Sequence, residues 1–246
     1  MLLTLFRIEA LKVRRSLALW MMAACPLMVV LLNTGVLLKN RGINEGKLQL
    51  WQSFWMGNVA IWCYFMLPLF IALCTALVNG SEHRNRAWRL MLTLPISHRQ
   101  LYLSKLMLIG CLVAGATTFM LLFCWAINFA FSLYGHSLQA ALAFPMAWFI
   151  VKLTIASLPV LVIQHAIAWR YANMVLPLGI GVSATMGIIQ LGSSEYWRFF
   201  PWTYPLMAGN GSTSSLQATA LTLALASGLP LLALTSYWLG KREIAD

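Results

Sequence analysis

Acidic side chains are almost absent from this 246-residue chain: six Asp and Glu stand against 17 Lys and Arg, and charged residues together make up 9%. A soluble globular domain carries roughly a quarter charged residues, so that class is excluded. The acids Glu9, Glu45, Glu82, Glu195, Glu243 and Asp246 sit at the ends of apolar runs or in the links between them. No two can be placed in one membrane cavity as a general acid and base, which disfavours an intramembrane enzyme. The five cysteines, Cys25, Cys63, Cys74, Cys111 and Cys124, all fall inside apolar runs, with no C-x-x-C pair and no His/Cys cluster at metal spacing. They read as small buried hydrophobes. A G-x-x-x-x-G-K-[ST] phosphate loop is missing too, since Gly46-Lys47 runs into Leu48 without the upstream glycine. The chain is therefore expected to hydrolyse no ATP by itself and to carry no cofactor or metal.

What is present is apolar. Hydrophobic residues make up 61% of the chain and mean hydropathy is +0.77, the signature of a polytopic membrane protein. The length accommodates about six spans of ~20 residues with short links and leaves little for a soluble domain, so residues 1–246 are expected to form one domain. The net charge of +11 is carried in short segments at span ends rather than along one soluble face, which points to membrane topology and not to nucleic acid. The N-terminal basic stretch mimics a signal peptide. The apolar run from Leu17 through Leu38 is too long for a signal h-region of about 7 to 15 residues, so an uncleaved first span is expected.

The fold class expected is an all-α integral membrane protein with six transmembrane helices, an N-terminal interfacial helix and a cytoplasmic coupling helix between spans 2 and 3. Over residues 2–15, Leu3, Phe6, Ala10 and Val13 recur at helical spacing while Arg7, Glu9, Lys12, Arg14 and Arg15 take the other positions, as in a helix lying in the membrane interface. Spans are expected at about 17–38, 54–78, 104–132, 144–168, 174–191 and 217–239, with Asn79-Gly80 as a helix stop after the second. Six spans put both termini on one side. That side collects Arg7, Lys12, Arg14, Arg15, Arg84, Arg86, Arg89, Arg99, Lys105, Arg170, Lys241 and Arg242, against Lys39, Arg41, Lys47 and Arg198 on the other. The positive-inside rule makes the termini cytoplasmic and the loop 192–215 external.

The densest charge lies in the connector from Ser81 to Lys105. Ser81 can cap a helix with Glu82 in its first turn, where the helix dipole favours a negative charge. Pro95 blocks continuation beyond Leu94, Ser97-His98-Arg99-Gln100 is a capping box for the next helix, and Ile96 with Leu101 completes a hydrophobic staple. The product is a helix of about thirteen residues, ~20 Å long, held by a tight bend against a span. A positive-inside loop alone would explain the charge. It would not need some twenty-five residues, because helix-to-helix links usually have 2 to 8.

Glu82, Arg86-Ala87-Trp88-Arg89, Leu92-Thr93-Leu94-Pro95-Ile96-Ser97 and Lys105 resemble the E…(G/R)(T/A)WR…L(T/S)LP(I/V)S…K pattern of ABC-2 type permeases, the membrane subunits of bacterial ABC exporters. The resemblance extends to the interfacial helix ending in Lys12-Val13-Arg14-Arg15-Ser16, the six spans, and the motif Phe200-Pro201-Trp202-Thr203-Tyr204-Pro205. That last motif is most similar to the branch containing lantibiotic-immunity and bacitracin-resistance permeases. The resemblance implies that Glu82, His83, Arg84, Arg86, Trp88 and Arg89 lie on a coupling helix docking a cytosolic ABC ATPase subunit, which would bind ATP and magnesium. It also implies a second permease copy or a sister permease, and a bacterial cytoplasmic membrane.

Two further features bear on a translocation path. Tyr196, Trp197, Phe199, Phe200, Trp202 and Tyr204 crowd one loop with Pro201 and Pro205. Such rings suit an interfacial belt, and the resemblance implies short re-entrant helices roofing the path. Lys152 lies about eight residues into the fourth span, ~12 Å along the helix from Phe144. It either snorkels or lines a polar path. Gln164, His165, Asn128, Asn58 and Gln190 suit interhelical hydrogen bonds. The expected function is export of an amphiphilic substrate such as a peptide antibiotic. The alternative is a stand-alone membrane immunity protein that binds a peptide or partner without transport.

Overall fold

The structure is a computed structural model that describes residues 2–14, 16–39, 47–84, 97–133, 142 and 144–241, with backbone alone for 47–50, 81–84 and 239–241. Every regular element among them is helical. The order is α1 Leu2–Val13, α2 Leu17–Lys39, α3 Lys47–Ile61, a π-helical segment Trp62–Met66, α4 Leu67–Arg84, α5 His98–Ser132, α6 Met146–Ala156 and α7 Leu158–Arg170. There follow α8 Val175–Leu191, two 3-10 turns Glu195–Phe199 and Pro201–Thr203, α9 Tyr204–Asn210 and α10 Ser214–Lys241.

Among the described residues four helical stretches are long and apolar enough to cross a membrane: Leu17–Lys39, Trp51–Gly80, His98–Ser132 and Ser214–Trp238. A fifth is the pair α6 and α7, bent by 48°. The expected fifth span corresponds to α8, whose 17 residues reach only ~26 Å, short of the ~30 Å of a bilayer core. The fourth span is broken where Ser157 ends α6 and Pro159 stands in the first turn of α7. Proline has no N–H for the preceding turn, and its ring collides with that turn's carbonyl. At the break the Ser157 N–H and Oγ both donate to Leu153 O, at 3.0 and 2.8 Å. Pro68 has the same effect in the second span, where the π turn Trp62–Met66 absorbs the disruption and Leu67 N–H bonds to Trp62 O.

The span built from α3, the π turn and α4 is the most deeply buried of the candidates. Around it α2 and α1 pack on α5, α10 on α7, α7 and α8 on α4, and α9 on α10. Where α8 meets α4, a Cβ built on Gly181 would lie 2.4 Å from Ala72 Cβ, so glycine permits this approach.

One boundary differs from expectation. Helix α4 does not stop at Asn79-Gly80 but continues to Arg84, and Ser81 lies inside it rather than capping a new helix. Asn79 stays helical because its amide is used internally, Nδ2 donating to Thr75 O at 2.8 Å. At the other end of the connector, Ser97 has extended backbone (φ −71°, ψ 133°) and its Oγ accepts from Gln100 N–H at 3.3 Å, which forms the Ser97 half of the capping box. Ile96 lies outside the described residues.

Candidate functional site

Lys105, two turns into α5, is fully buried. Its Nζ donates to Glu9 Oε2 at 2.8 Å and to Val78 O at 3.4 Å. Glu9 Oε1 accepts from Lys12 Nζ at 2.6 Å. Helical spacing in the sequence assigns Glu9 to the outer polar positions of α1, and the structure corrects this. Helix α1 buries Leu5, Glu9 and Val13, spaced four residues apart, and leaves Leu3 exposed. The reason is the countercharge: an unpaired buried ion costs several kcal/mol, whereas a paired one is offset by its partner. Burial alone would push the Glu9 carboxyl up, but the Lys105 and Lys12 ammonium groups hold it below the usual carboxylate value. Arg7, Lys12 and Arg14 of the expected interfacial set are exposed, Phe6 is half-buried against the core, and Arg15 lies outside the described residues.

A second buried junction adjoins the first. His165 of α7, fully buried, accepts at Nδ1 from Asn79 Nδ2 at 3.0 Å and donates from Nε2 to Tyr102 O at 3.2 Å. The carbonyl can only accept, so Nε2 carries the proton. Tyr102 packs edge-on to Trp169, and its hydroxyl donates to Thr235 Oγ1 of α10 at 3.1 Å. Val78 and Asn79 directly precede the connector, while Tyr102 and Lys105 lie at its far end, in the first turns of α5. The two roots are thus tied directly, by Lys105 Nζ on Val78 O, and through His165 of α7, while Glu9 ties Lys105 to α1.

Of the expected coupling residues, Glu82, His83 and Arg84 belong to the last turn of α4, and Arg86, Trp88 and Arg89 lie outside the described residues.

Lys152 points into the bundle rather than snorkelling. It is 8% exposed, and its Nζ donates to Gln217 Oε1 of α10 at 2.8 Å and lies 5.6 Å from the Phe149 ring centre. Gln217 is held in turn by its Nε2 donating to Gly211 O at 2.9 Å. The aromatic loop folds back onto the bundle: Trp197, Trp202, Tyr204 and Pro205 are buried and Pro201 half-buried, while Tyr196 and Phe199 are exposed. Tyr204 Oη donates to Arg198 O at 2.7 Å, and Thr203 Oγ1 bonds to Trp197 O at 2.8 Å, which closes the two turns onto each other. Gly209 of α9 sits against Cys63, Leu153 and Val59.

A buried ion pair at the connector, a buried lysine within a span and a folded-back loop form no catalytic set, but they suit a moving membrane part. The family described as ABC-2 family transporter protein matches residues 5–187. The chain belongs to that family. No curated protein and no solved structure matches it. An ABC-2 transporter is a multi-pass membrane transport component that works with an ATPase partner. In this ABC-2 protein the matched region contains Glu9, Asn79, Lys105, Lys152 and His165, whereas Gln217 and the aromatic loop lie beyond it.

Sequence reasoning singled out Lys105 as a motif residue and His165 as a hydrogen-bonding one, and it missed the partnership of Lys105 with Glu9. The available signal was an acid at the one α1 position that is i+4 from Leu5 and i−4 from Val13.

Proposed function

We propose that this ABC-2 protein is the transmembrane permease subunit of a bacterial ABC exporter. It pairs with a second copy or a sister permease, and cytosolic ATPase subunits grip the segment around Glu82, His83, Arg84, Arg86, Trp88 and Arg89. The whole chain acts as one transmembrane domain of six spans, with α8 as the short fifth. Both termini face the cytoplasm, α1 lies in the interface, and the 192–215 loop is external. The observation that carries the reading, beyond family membership, is the double tie at the connector roots. A push on the connector meets a rigid base, with Lys105–Glu9 passing displacement to α1 and Asn79–His165–Tyr102 passing it to α7. Closure of the ATPase pair would move these helices and change which side the path opens to.

The cargo in this reading is amphiphilic, a peptide antibiotic expelled from the membrane, in keeping with the resemblance of Phe200 to Pro205 to the lantibiotic-immunity and bacitracin-resistance branch. Lys152 lines the path, and the segment with Trp197, Pro201, Trp202, Tyr204 and Pro205 roofs it.

Co-expression with a cytosolic ABC ATPase subunit tests the coupling. The two chains should co-purify, and Arg86→Glu with Arg89→Glu should weaken the complex and lower its ATP turnover. If the charge reversals leave both unchanged, the coupling segment is misassigned. If the chain confers peptide resistance without any ATPase, the stand-alone immunity reading replaces transport.

A further inference from the structure

Rings from three helices form one layer within the bundle. Phe54 of α3 packs edge-on to Phe131 of α5 at 6.0 Å between centroids, and Trp55 packs on Phe149 of α6 at 5.0 Å. One helical turn inward from this layer, on the same faces, the same three helices carry polar residues. Asn58 follows Phe54 by four residues, Asn128 precedes Phe131 by three, and Lys152 follows Phe149 by three, each a step of ~5 Å along its helix. All three are buried. They are also incompletely satisfied. Among the described residues Asn58 Oδ1 and Asn128 Nδ2 have no hydrogen-bond partner, and Lys152, with three N–H donors, meets one neutral oxygen and one ring.

Among the described residues no carboxylate pairs with Lys152. A buried ammonium without a counterion is costly, and an unmet amide adds to that cost. Both costs fall one helical turn from the same ring pairs, and an anion entering at that level would offset them. The ammonium and the Asn128 amide supply donors for anionic oxygens, and the free Asn58 oxygen supplies an acceptor for a neighbouring hydroxyl or amine. The aromatic layer, in which Phe54, Phe131 and Phe149 are buried and Trp55 half-buried, would supply the apolar wall for the adjoining tail.

We propose that Asn58, Asn128 and Lys152, with Gln217 as the resting partner of Lys152, form a recognition site for the anionic headgroup of a membrane amphiphile. The group it takes is a phosphate with a hydroxyl or amine beside it. This rests on Lys152 lining the path of the permease. On arrival of the headgroup, Lys152 exchanges the Gln217 oxygen for the anion, and α10 is released from α6 at that point.

The test uses the purified full chain in detergent and native mass spectrometry. Phosphatidylglycerol and phosphatidylcholine of matched chains are supplied together, with glycerol phosphate as a soluble competitor. The wild type should retain phosphatidylglycerol over phosphatidylcholine by about tenfold, which corresponds to ~1.4 kcal/mol. Lys152→Met should abolish the preference and Lys152→Arg should keep it. Lys39→Met, a lysine outside the layer, should leave it unchanged. Asn128→Leu, which keeps the charge, should reduce the ratio and serves as the second probe if Lys152→Met does not fold. Equal retention of the two lipids by the wild type, or an unchanged ratio in Asn128→Leu together with Lys152→Met or its loss in Lys39→Met, overturns the proposal. Displacement of the lipid by millimolar glycerol phosphate would assign the site to free phosphates and overturn the amphiphile, whereas persistence of the lipid supports it. No ATPase is present in this measurement, so its failure and failure of the coupling experiment are separate results.

Discussion

Lys105 and Glu9, 96 residues apart, meet at 2.8 Å from Nζ to Oε2, and both side chains are buried. The pair joins the helix that leaves the connector to the helix that opens the chain. Its removal therefore has consequences for stability and for mechanical connection.

Glu9→Leu strips Lys105 of its carboxylate in a buried place. The expected loss is ~3–5 kcal/mol, while Glu9→Leu with Lys105→Leu should recover most of it, since an apolar pair of similar volume is often neutral. Thermal melting of the purified protein in detergent reads both. A double variant no more stable than the single one would show that the pair is not the source of the loss.

The same pair sets a pH dependence. The Glu9 carboxyl is held below its ordinary value of 4.5, so its contribution is fully present above about that pH and disappears as pH falls through the lowered folded value. Melting temperature measured from neutral pH downward should drop more steeply below pH ~4.5 in the wild type than in Glu9→Gln. Parallel curves would assign the acid sensitivity to other groups.

His165→Phe preserves ring size but removes the acceptor for Asn79 and the donor to Tyr102 O. Leaving buried polar groups unmet should cost ~1–3 kcal/mol. Hydrogen exchange should rise at the C-terminal turns of α4 and the first turns of α5. An increase confined to α7 would place the effect in ring packing instead.

Gly181→Ala places a methyl 2.4 Å from Ala72 Cβ, where both atoms are fixed to helix backbones. Overpacking of this kind costs ~1–3 kcal/mol. Ala72→Gly should suppress the defect in the double variant, and melting of the four proteins in a cycle gives the coupling. Additive losses would mean that the two helices do not meet through these residues.

Much of the architecture was legible because lipid-compatible helices announce themselves through long apolar runs. The stretches about residues 17–38, 104–132 and 217–239 match α2, α5 and α10 closely. The Ser97 cap was readable since it depends on a side chain and a backbone N–H three residues apart. The stop at Asn79-Gly80 was misjudged for a converse reason. Asn and Gly end helices when their local alternatives win, and here His165, 86 residues away, engages the Asn79 amide within the bundle. Pro159 and Pro68 did carry a visible signal for the broken span and the π turn. Proline removes a donor wherever it stands, although the form of the break depends on the neighbours.

By itself the sequence determined that this protein is helical, membrane-embedded, short of acids and basic at its span ends, because these follow from composition and from periodicities of a few residues. Only the tertiary structure decided that Glu9 turns inward to Lys105, that His165 ties the two roots of the connector, and that Lys152 meets Gln217 inside the bundle. The physical reason is that the stability of a buried charge or amide depends on what the rest of the chain places within ~3 Å of it. That placement results from helix packing across distances over which local sequence carries no signal.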